Sequence, residues 1–284
     1  QSLLKYRMMK ISFRKILLIH FMIFFASQSL LAQKKVVLIE EATGTWCQWC
    51  PKGTAYFEEL TSNYPGQIIP LALHVNDIME SSRTRDYYKA TGMTALPSGN
   101  VNRVHLKDDP TNWPTRMTSE LAKPVEAEVW VNRTFDPATR ELTIQVGAEF
   151  YSSPSNVDYR LGIVIAEDGI IGLSSAYDQS NAYSGGYFGQ MGGYEDLPDP
   201  VPASQMVYNY VARDLITAYE GDSGAIPASP LAGQSYDSTY KWIIPEHMNE
   251  NYVYAVGYLT DYKSGEILNA ERSEYAIGDR NGKP

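Results

Sequence analysis

Two cysteines occur in the 284 residues, Cys47 and Cys50, with only Gln48 and Trp49 between them. A CxxC unit supports three chemistries: a redox couple, an inert local disulfide, or half of a metal site. Zinc needs about four Cys/His ligands. The remaining histidines after the first thirty residues, His74, His105 and His247, stand alone without ligand spacing, so no metal is expected. A disulfide-stapled scaffold would spread several cysteines along the chain. The position of the pair favours redox chemistry. Residues 36–39 are a continuous run of apolar residues, read as a buried strand. Residues 50–62 read as a helix, with Pro51 tolerated in the first turn. A helix N-terminus presents unpaired N–H groups and the positive end of the dipole. Both lower the pKa of a thiol placed there. Cys47 is thus the expected nucleophile, and Cys50, one turn on and more enclosed, the resolving thiol. The pair itself carries the electrons, so no cofactor is expected.

Around the pair, alternation predicts a layered α/β unit. Buried strands at 36–39 and 68–75, helices at 50–62 and 82–90, a short strand at 100–104 and a helix at 111–121 capped by Thr111 give a β-α-β-α-β-α order. That order implies a mainly parallel sheet covered by helices. Residues 105–110 are polar and end in proline, so no clear edge strand follows Val104: either a strand from the second domain completes that edge or it is missing. From Lys123–Pro124 onward the pattern changes to short alternating strands: 125–131, 142–150, 159–166, 206–211, 240–244, 252–259 and 266–269. These suggest an antiparallel, immunoglobulin-like sandwich. The expected division is 33–123 for the redox domain and 124–284 for the β-sandwich. Between them in function stands a long Gly-, Tyr-, Ser- and Pro-rich segment, 170–205. Its composition suits a mobile connector, or a surface for a peptide or glycan ligand.

Residues 1–32 carry five basic and no acidic side chains, then a short apolar run and small residues up to Ala32. This is the pattern of an export signal, with the mature chain expected to begin near Gln33 and not to span the membrane. The formal net charge of the whole chain is −9, which argues against nucleic acid as a partner. The chain also lacks the series of ten-residue amphipathic strands of an outer-membrane barrel.

The segment Val37-Leu38-Ile39-Glu40-Glu41-Ala42-Thr43-Gly44-Thr45-Trp46-Cys47, continued by Cys50-Pro51, resembles a thioredoxin-fold active site. Tyr64-Pro65-Gly66 before a buried strand and Gly92-Met93-Thr94-Ala95-Leu96-Pro97 are similar in spacing to that fold. More narrowly, these residues, together with Tyr208-Asn209-Tyr210-Val211-Ala212-Arg213 and Glu266-Ile267-Leu268-Asn269-Ala270, resemble the Omp28-related outer membrane proteins of Bacteroidetes-type bacteria. The likeness covers most of residues 34–272.

That resemblance implies a cis Pro97 facing the cysteines, with the backbone at Leu96 pairing with an extended substrate peptide. It also implies a proton-transfer role for Glu41 beneath Cys50. Glu40 points to the opposite face of the strand. Otherwise both acids sit at a solvated strand end. Trp46 and Trp49 shape a substrate groove, or simply pack. The expected function is an exported thiol–disulfide oxidoreductase, in the periplasm or at the outer membrane, acting on exported cysteine-containing proteins. The competing reading is an outer-membrane-associated binding or structural protein with a non-catalytic disulfide. Gln48-Trp49 departs from the Gly-Pro of thioredoxin itself and assigns no redox direction.

Overall fold

A computed structural model describes residues 33–278; the expected export signal lies outside the described residues. The chain runs β1 (Val37–Thr43), α1 (Pro51–Asn63), β2 (Ile68–His74), α2 (Ser82–Thr91), β3 (Ser98–Val101), β4 (His105–Asp108) and α3 (Trp113–Leu121). It continues through β5 (Ala127–Asp136), β6 (Glu141–Phe150), β7 (Tyr159–Glu167), β8 (Val211–Leu215), β9 (Ser235–Ile243), β10 (Val253–Asp261) and β11 (Ile267–Arg272).

All seven residues of β1 are buried, as expected of a strand covered on both faces. It pairs in parallel with β2, from Val37 opposite Ile68 to Thr43 opposite His74, and antiparallel with β3. Its odd-numbered residues Val37 and Ile39 pack on Phe57 and Leu60 of α1 and on Trp113 and Met117 of α3. Its even-numbered Leu38 and Ala42 face Tyr87 of α2 and residues of β7, β8 and β10. Strand alternation therefore assigns each side chain of β1 to a different neighbourhood.

Two local readings are corrected. The edge strand missing from the sequence reading is present as β4, paired with β3. Its side chains are half or fully exposed, which is why its apolar signal is weak. The third helix begins at Trp113 after a 3₁₀ turn at Pro110–Asn112. Asp109, not Thr111, supplies the cap there, accepting from the Thr111 amide at 2.9 Å.

The Lys123–Pro124 junction falls between α3 and β5, yet strands beyond it complete the sheet begun before it. The eight-stranded order is β11-β10-β7-β8-β2-β1-β3-β4. The second half joins at β8, whose Val211 pairs in parallel with Ala72 of β2. The remaining strands form a three-stranded sheet, β5-β6-β9. Its apolar face, including Val129, Ile144 and Val146, packs on Ile163 of β7 and Val253 and Ala255 of β10. Two-layer sheet packing of the sandwich type is thus present at this end, but β7, β8, β10 and β11 belong to the long sheet. Gly257 permits the close approach: a Cβ there would lie 2.6 Å from side-chain carbons of Val131 and Val146. From Lys34 onward the described chain forms one compact unit.

Buried polar contacts fasten the two halves. Asn269 on β11 accepts from the Val36 amide and donates to the carbonyls of Lys34 and Ala127, each at 2.9 Å. Glu40 is fully buried, against the expectation of a solvated strand end, and takes a forked ion pair from Arg103, with Nε at 3.0 Å and Nη2 at 2.7 Å. Tyr87 also donates to it. Arg103 in turn donates to the Tyr219 carbonyl at 2.5 Å and stacks over the Tyr219 ring, 3.6 Å from its centroid. Breaking a buried pair by removing one partner costs about 3–5 kcal/mol, because a charge is left without compensation. Arg103→Met is expected to lower stability by that amount in urea unfolding. The double variant Glu40→Gln/Arg103→Met, which leaves no buried charge, is expected to recover a substantial part of it.

Candidate functional site

The turn between β1 and α1 carries the cysteines. The amide of Cys47 donates to the Gly44 carbonyl at 3.0 Å, and that of Cys50 to the Cys47 carbonyl at 3.1 Å. Cys50 is the N-cap of α1 and Pro51 its first residue. The two sulfurs are joined as a disulfide, with the Cα atoms 5.4 Å apart. Cys50 is 1% exposed and Cys47 5%, so the expected nucleophile is the more accessible of two buried atoms.

Two segments clamp this turn. On one side, the β2–α2 connection supplies Asp77, which accepts from the Thr45 amide at 2.9 Å, and the Val75 carbonyl, which accepts from Trp46 Nε1 at 2.7 Å. Burial opposes ionisation of Asp77, but the hydrogen bond and charge of His74, 2.6 Å away, with the Thr45 and Met79 amides, hold its carboxyl below the usual range. On the other side lies the Gly/Tyr-rich segment 170–205, read from sequence as a mobile connector or a ligand surface. It is docked on the cysteine turn. The Ser180 amide donates to the Thr45 carbonyl and the Ala182 amide to the Gln48 carbonyl, both at 2.8 Å. Tyr183 and Phe188 set ring edges against Trp49, with centroids 5.8 and 5.0 Å away.

Between these clamps opens a groove of about 540 Å³. It is lined by Trp46, Cys47 and Trp49 on the cysteine turn, Ala95 and Leu96 before β3, and Ser180 and Asp199 from the docked segment. The structure therefore brings Cys47, Trp46, Trp49 and Leu96 together. Trp46 is 53% and Trp49 39% exposed, and Trp49 also packs on Tyr183 and Phe188. The Leu96–Pro97 peptide is cis; Pro97 is half-buried and, unlike Leu96, is not among the residues lining the groove.

Glu41 lies on the α1 side of β1, away from the groove. It is buried, and its Oε1 has no hydrogen-bond partner among the described residues. Gly53 in the first turn of α1 makes room for it: a Cβ there would fall 1.7 Å from Oε1. Beside it is a cavity of about 30 Å³, shared with Thr43, His74, Gln179 and Tyr208, with room for a water molecule. Burial pushes the Glu41 carboxyl well above its ordinary range, since desolvation disfavours the charged form. Among the described residues no group of three or more His, Cys, Asp or Glu side chains is placed to hold a metal ion.

Sequence reading missed Gln179, Ser180, Asp199 and Arg103. For Arg103 a signal existed: an acid at position 40 inside a strand buried on both faces requires a cation. For the other three no local signal exists: Gln179 and Ser180 bond to a turn more than 130 residues away, and Asp199 lines the groove beyond it.

The raised pKa of Glu41 has a consequence for stability. The folded state holds this proton more tightly than the unfolded chain, whose carboxyl titrates near 4.5. The contribution is fully present below that value and is lost as pH rises through the folded-state pKa. In urea unfolding across pH, Glu41→Gln is expected to be less destabilised than the parent on going from pH 4 to pH 8. Parallel curves for the two proteins count against an uncharged Glu41.

The family model of outer membrane protein Omp28 matches residues 84–278, a stretch that begins after the cysteine turn and includes the segment docked on it. Among solved structures, HBP35 of Porphyromonas gingivalis superposes with a TM-score of 0.65 at 14% identity, covering 89% of this chain and 79% of that one. At that identity the likeness is one of fold. A protein of Agrobacterium tumefaciens matches at TM-score 0.46 and 17% identity, over 85% of this chain and 95% of that one. A domain of the outer membrane lipoprotein Omp28 from Porphyromonas gingivalis matches at 0.30 and 9%, over 54% and 90%. No curated protein matches the sequence. No helix among the described residues is long and apolar enough to cross a membrane. By the extent of the family match, this chain belongs to the Omp28 family of outer membrane proteins.

Proposed function

We propose that the protein is an exported thiol–disulfide oxidoreductase acting on proteins, with β1–β4 and α1–α3 serving as a thioredoxin-like unit. The observation that carries this reading is the placement of Cys47. It sits before the N-terminus of α1, bonded to Cys50, on the floor of an open groove whose far wall is Ala95 and Leu96 beside cis-Pro97. Main-chain groups at Leu96 suit an extended peptide added as a strand, and Trp46 and Trp49 supply apolar contact area along it.

Written in the direction of substrate reduction, the reduced enzyme presents Cys47 as a thiolate. Its sulfur attacks one sulfur of a partner disulfide, and the partner's other sulfur leaves and takes a proton. Cys50 then loses its proton and attacks the Cys47 sulfur. The mixed disulfide breaks, the second partner thiol is released, and the Cys47–Cys50 bond forms. Glu41, whose pKa is displaced upward by burial, is the group on the α1 side of the pair suited to relay the Cys50 proton: having first released its own proton to solvent, its carboxylate takes the one Cys50 loses. Substrate oxidation is the reverse sequence on the same contacts. The leader-like residues 1–32 and Omp28 membership support an exported location at the outer membrane.

One observation favours a second reading, a binding or structural protein with a sealed disulfide. Both cysteines are at least 95% buried, and a segment of the second half is bonded across their turn. A very low reduction potential with slow exchange against glutathione supports that reading.

Trapping separates the two. Cys50→Ser removes the resolving thiol and leaves Cys47 and the helix N-terminus in place. It is expected to accumulate covalent complexes with exported cysteine-containing proteins on non-reducing gels, released by reductant, whereas Cys47→Ser accumulates few. A folded, reduced Cys50→Ser protein that captures nothing from a periplasmic extract removes the support for the oxidoreductase.

A further inference from the structure

The side chain of Gln179 enters the site from outside the cysteine-bearing half. It is 5% exposed. Its Nε2 lies 3.0 Å from the Cys47 carbonyl, 3.0 Å from the Ser180 carbonyl and 3.4 Å from the Gly44 carbonyl. Its backbone is fixed by a reciprocal pair of bonds with Val201, at 2.9 and 2.8 Å. Val201 is itself buried with Met79, Met206, Tyr208 and Val211. The amide group is thus anchored to a hydrophobic cluster and aimed at the carbonyl of the cysteine that faces the groove. The neighbouring amides of Ser180 and Ala182 bond to Thr45 and Gln48 on either side of it. Gln179 also lines the small cavity beside Glu41, so one residue touches both the cysteine turn and the space next to the buried acid.

From this geometry we infer that Gln179 is a positioning residue for the Cys47–Cys50 pair, and that the strap 179–182 stabilises the oxidised form over the reduced one. Reduction of the disulfide passes two electrons and two protons from two glutathione thiols to the Cys47–Cys50 bond, leaving two protein thiols and one glutathione disulfide. On this inference, when the bond opens and the sulfurs separate to van der Waals contact, the tight turn of residues 44–48 relaxes. The strap is in register with the turn in its closed, disulfide form. Its bonds are therefore stronger in that form, and they oppose reduction. The inference concerns the tuning of the site assigned under the redox reading, yet the equilibrium it addresses exists whether or not the protein turns over a substrate.

The test is equilibration of the full chain in glutathione buffers, with reduced and oxidised fractions counted by alkylation and mass spectrometry. Gln179→Met keeps length and volume but has no donor. One net hydrogen bond corresponds to about a 3- to 10-fold change in an equilibrium constant. Gln179→Met is expected to be easier to reduce by that factor. Gln179→Glu, which turns an acceptor toward the Gly44 and Cys47 carbonyls, is expected to be easier still. Tyr187→Ser, at an exposed position of the same segment, is expected to match the parent. A Gln179→Met equilibrium within twofold of the parent, with unchanged near-ultraviolet circular dichroism, overturns the inference, as does an equal shift from Tyr187→Ser. Amide exchange in the unaltered protein gives a second reading that needs no variant. Protection at Ser180 and Ala182 is expected to fall when the disulfide is reduced; equal protection in both forms overturns the inference. Failure of Cys50→Ser to trap partners touches the proposed function and leaves these measurements standing.

Discussion

Two adjacent carboxylates on a strand with no solvated face set the terms for the rest of the molecule. An isolated ionised carboxylate in an apolar interior is too costly to persist; it finds a cation or takes a proton. Glu40 and Glu41 adopt one solution each. Glu40 faces Arg103, with which it forms a forked pair. Glu41 faces α1, where no cation among the described residues meets it and burial pushes its carboxyl well above the ordinary range, toward the protonated form. Strand alternation makes the assignment unavoidable: one face of β1 receives the guanidinium, so the next residue on the other face goes without.

The ion pair reaches beyond β1. Arg103 sits in the turn after β3, with a positive φ of 56°, and its side chain extends under the rings of Tyr219 and Tyr258 from the second half. A planar, multiply donating cation can satisfy a carboxylate, a main-chain carbonyl and two aromatic faces together, which a lysine cannot. The same residue that neutralises Glu40 thereby joins the cysteine-bearing half to Tyr219, 116 residues further along, and to Tyr258 on β10. Glu41, the groove and the strap all lie on a frame whose two halves are held in place by contacts of this kind.

Much of the site was legible in the sequence because its chemistry is local. Cys47 and Cys50 lie three residues apart, a strand precedes them and a helix follows, and each of these signals falls within about fifteen residues. The likeness that placed a cis proline at Pro97 rested on an equally short run. What escaped was long-range. Hydrophobic alternation identifies the buried face of β2 or β8 but does not name its partner, so the union of both halves in one sheet was hidden. Strand β4 was obscured because an exposed edge carries little apolar signal. The segment 170–205 has the composition of a connector, and its role depends on main-chain groups at Ser180 and Ala182 that leave no trace in residue type. Even the one informative side chain there, Gln179, is common enough in loops to pass unnoticed.

The strap's division between main-chain and side-chain bonds bears on how such a site diversifies. The bonds from Ser180 and Ala182 run amide to carbonyl, so positions 180 and 182 admit any residue except proline, which lacks the donor. The accepting carbonyls at Thr45 and Gln48 are indifferent to their own side chains. Exchange of Gln48 therefore leaves the crossing segment attached, whereas Trp49 also holds it through ring contacts with Tyr183 and Phe188. Gln179 is the exception: its bonds to Gly44 and Cys47 come from its side chain. A chain with another residue at position 179 would keep the main-chain clasp of Ser180 and Ala182 and lose the side-chain bonds to Gly44 and Cys47, a separation of scaffold from setting.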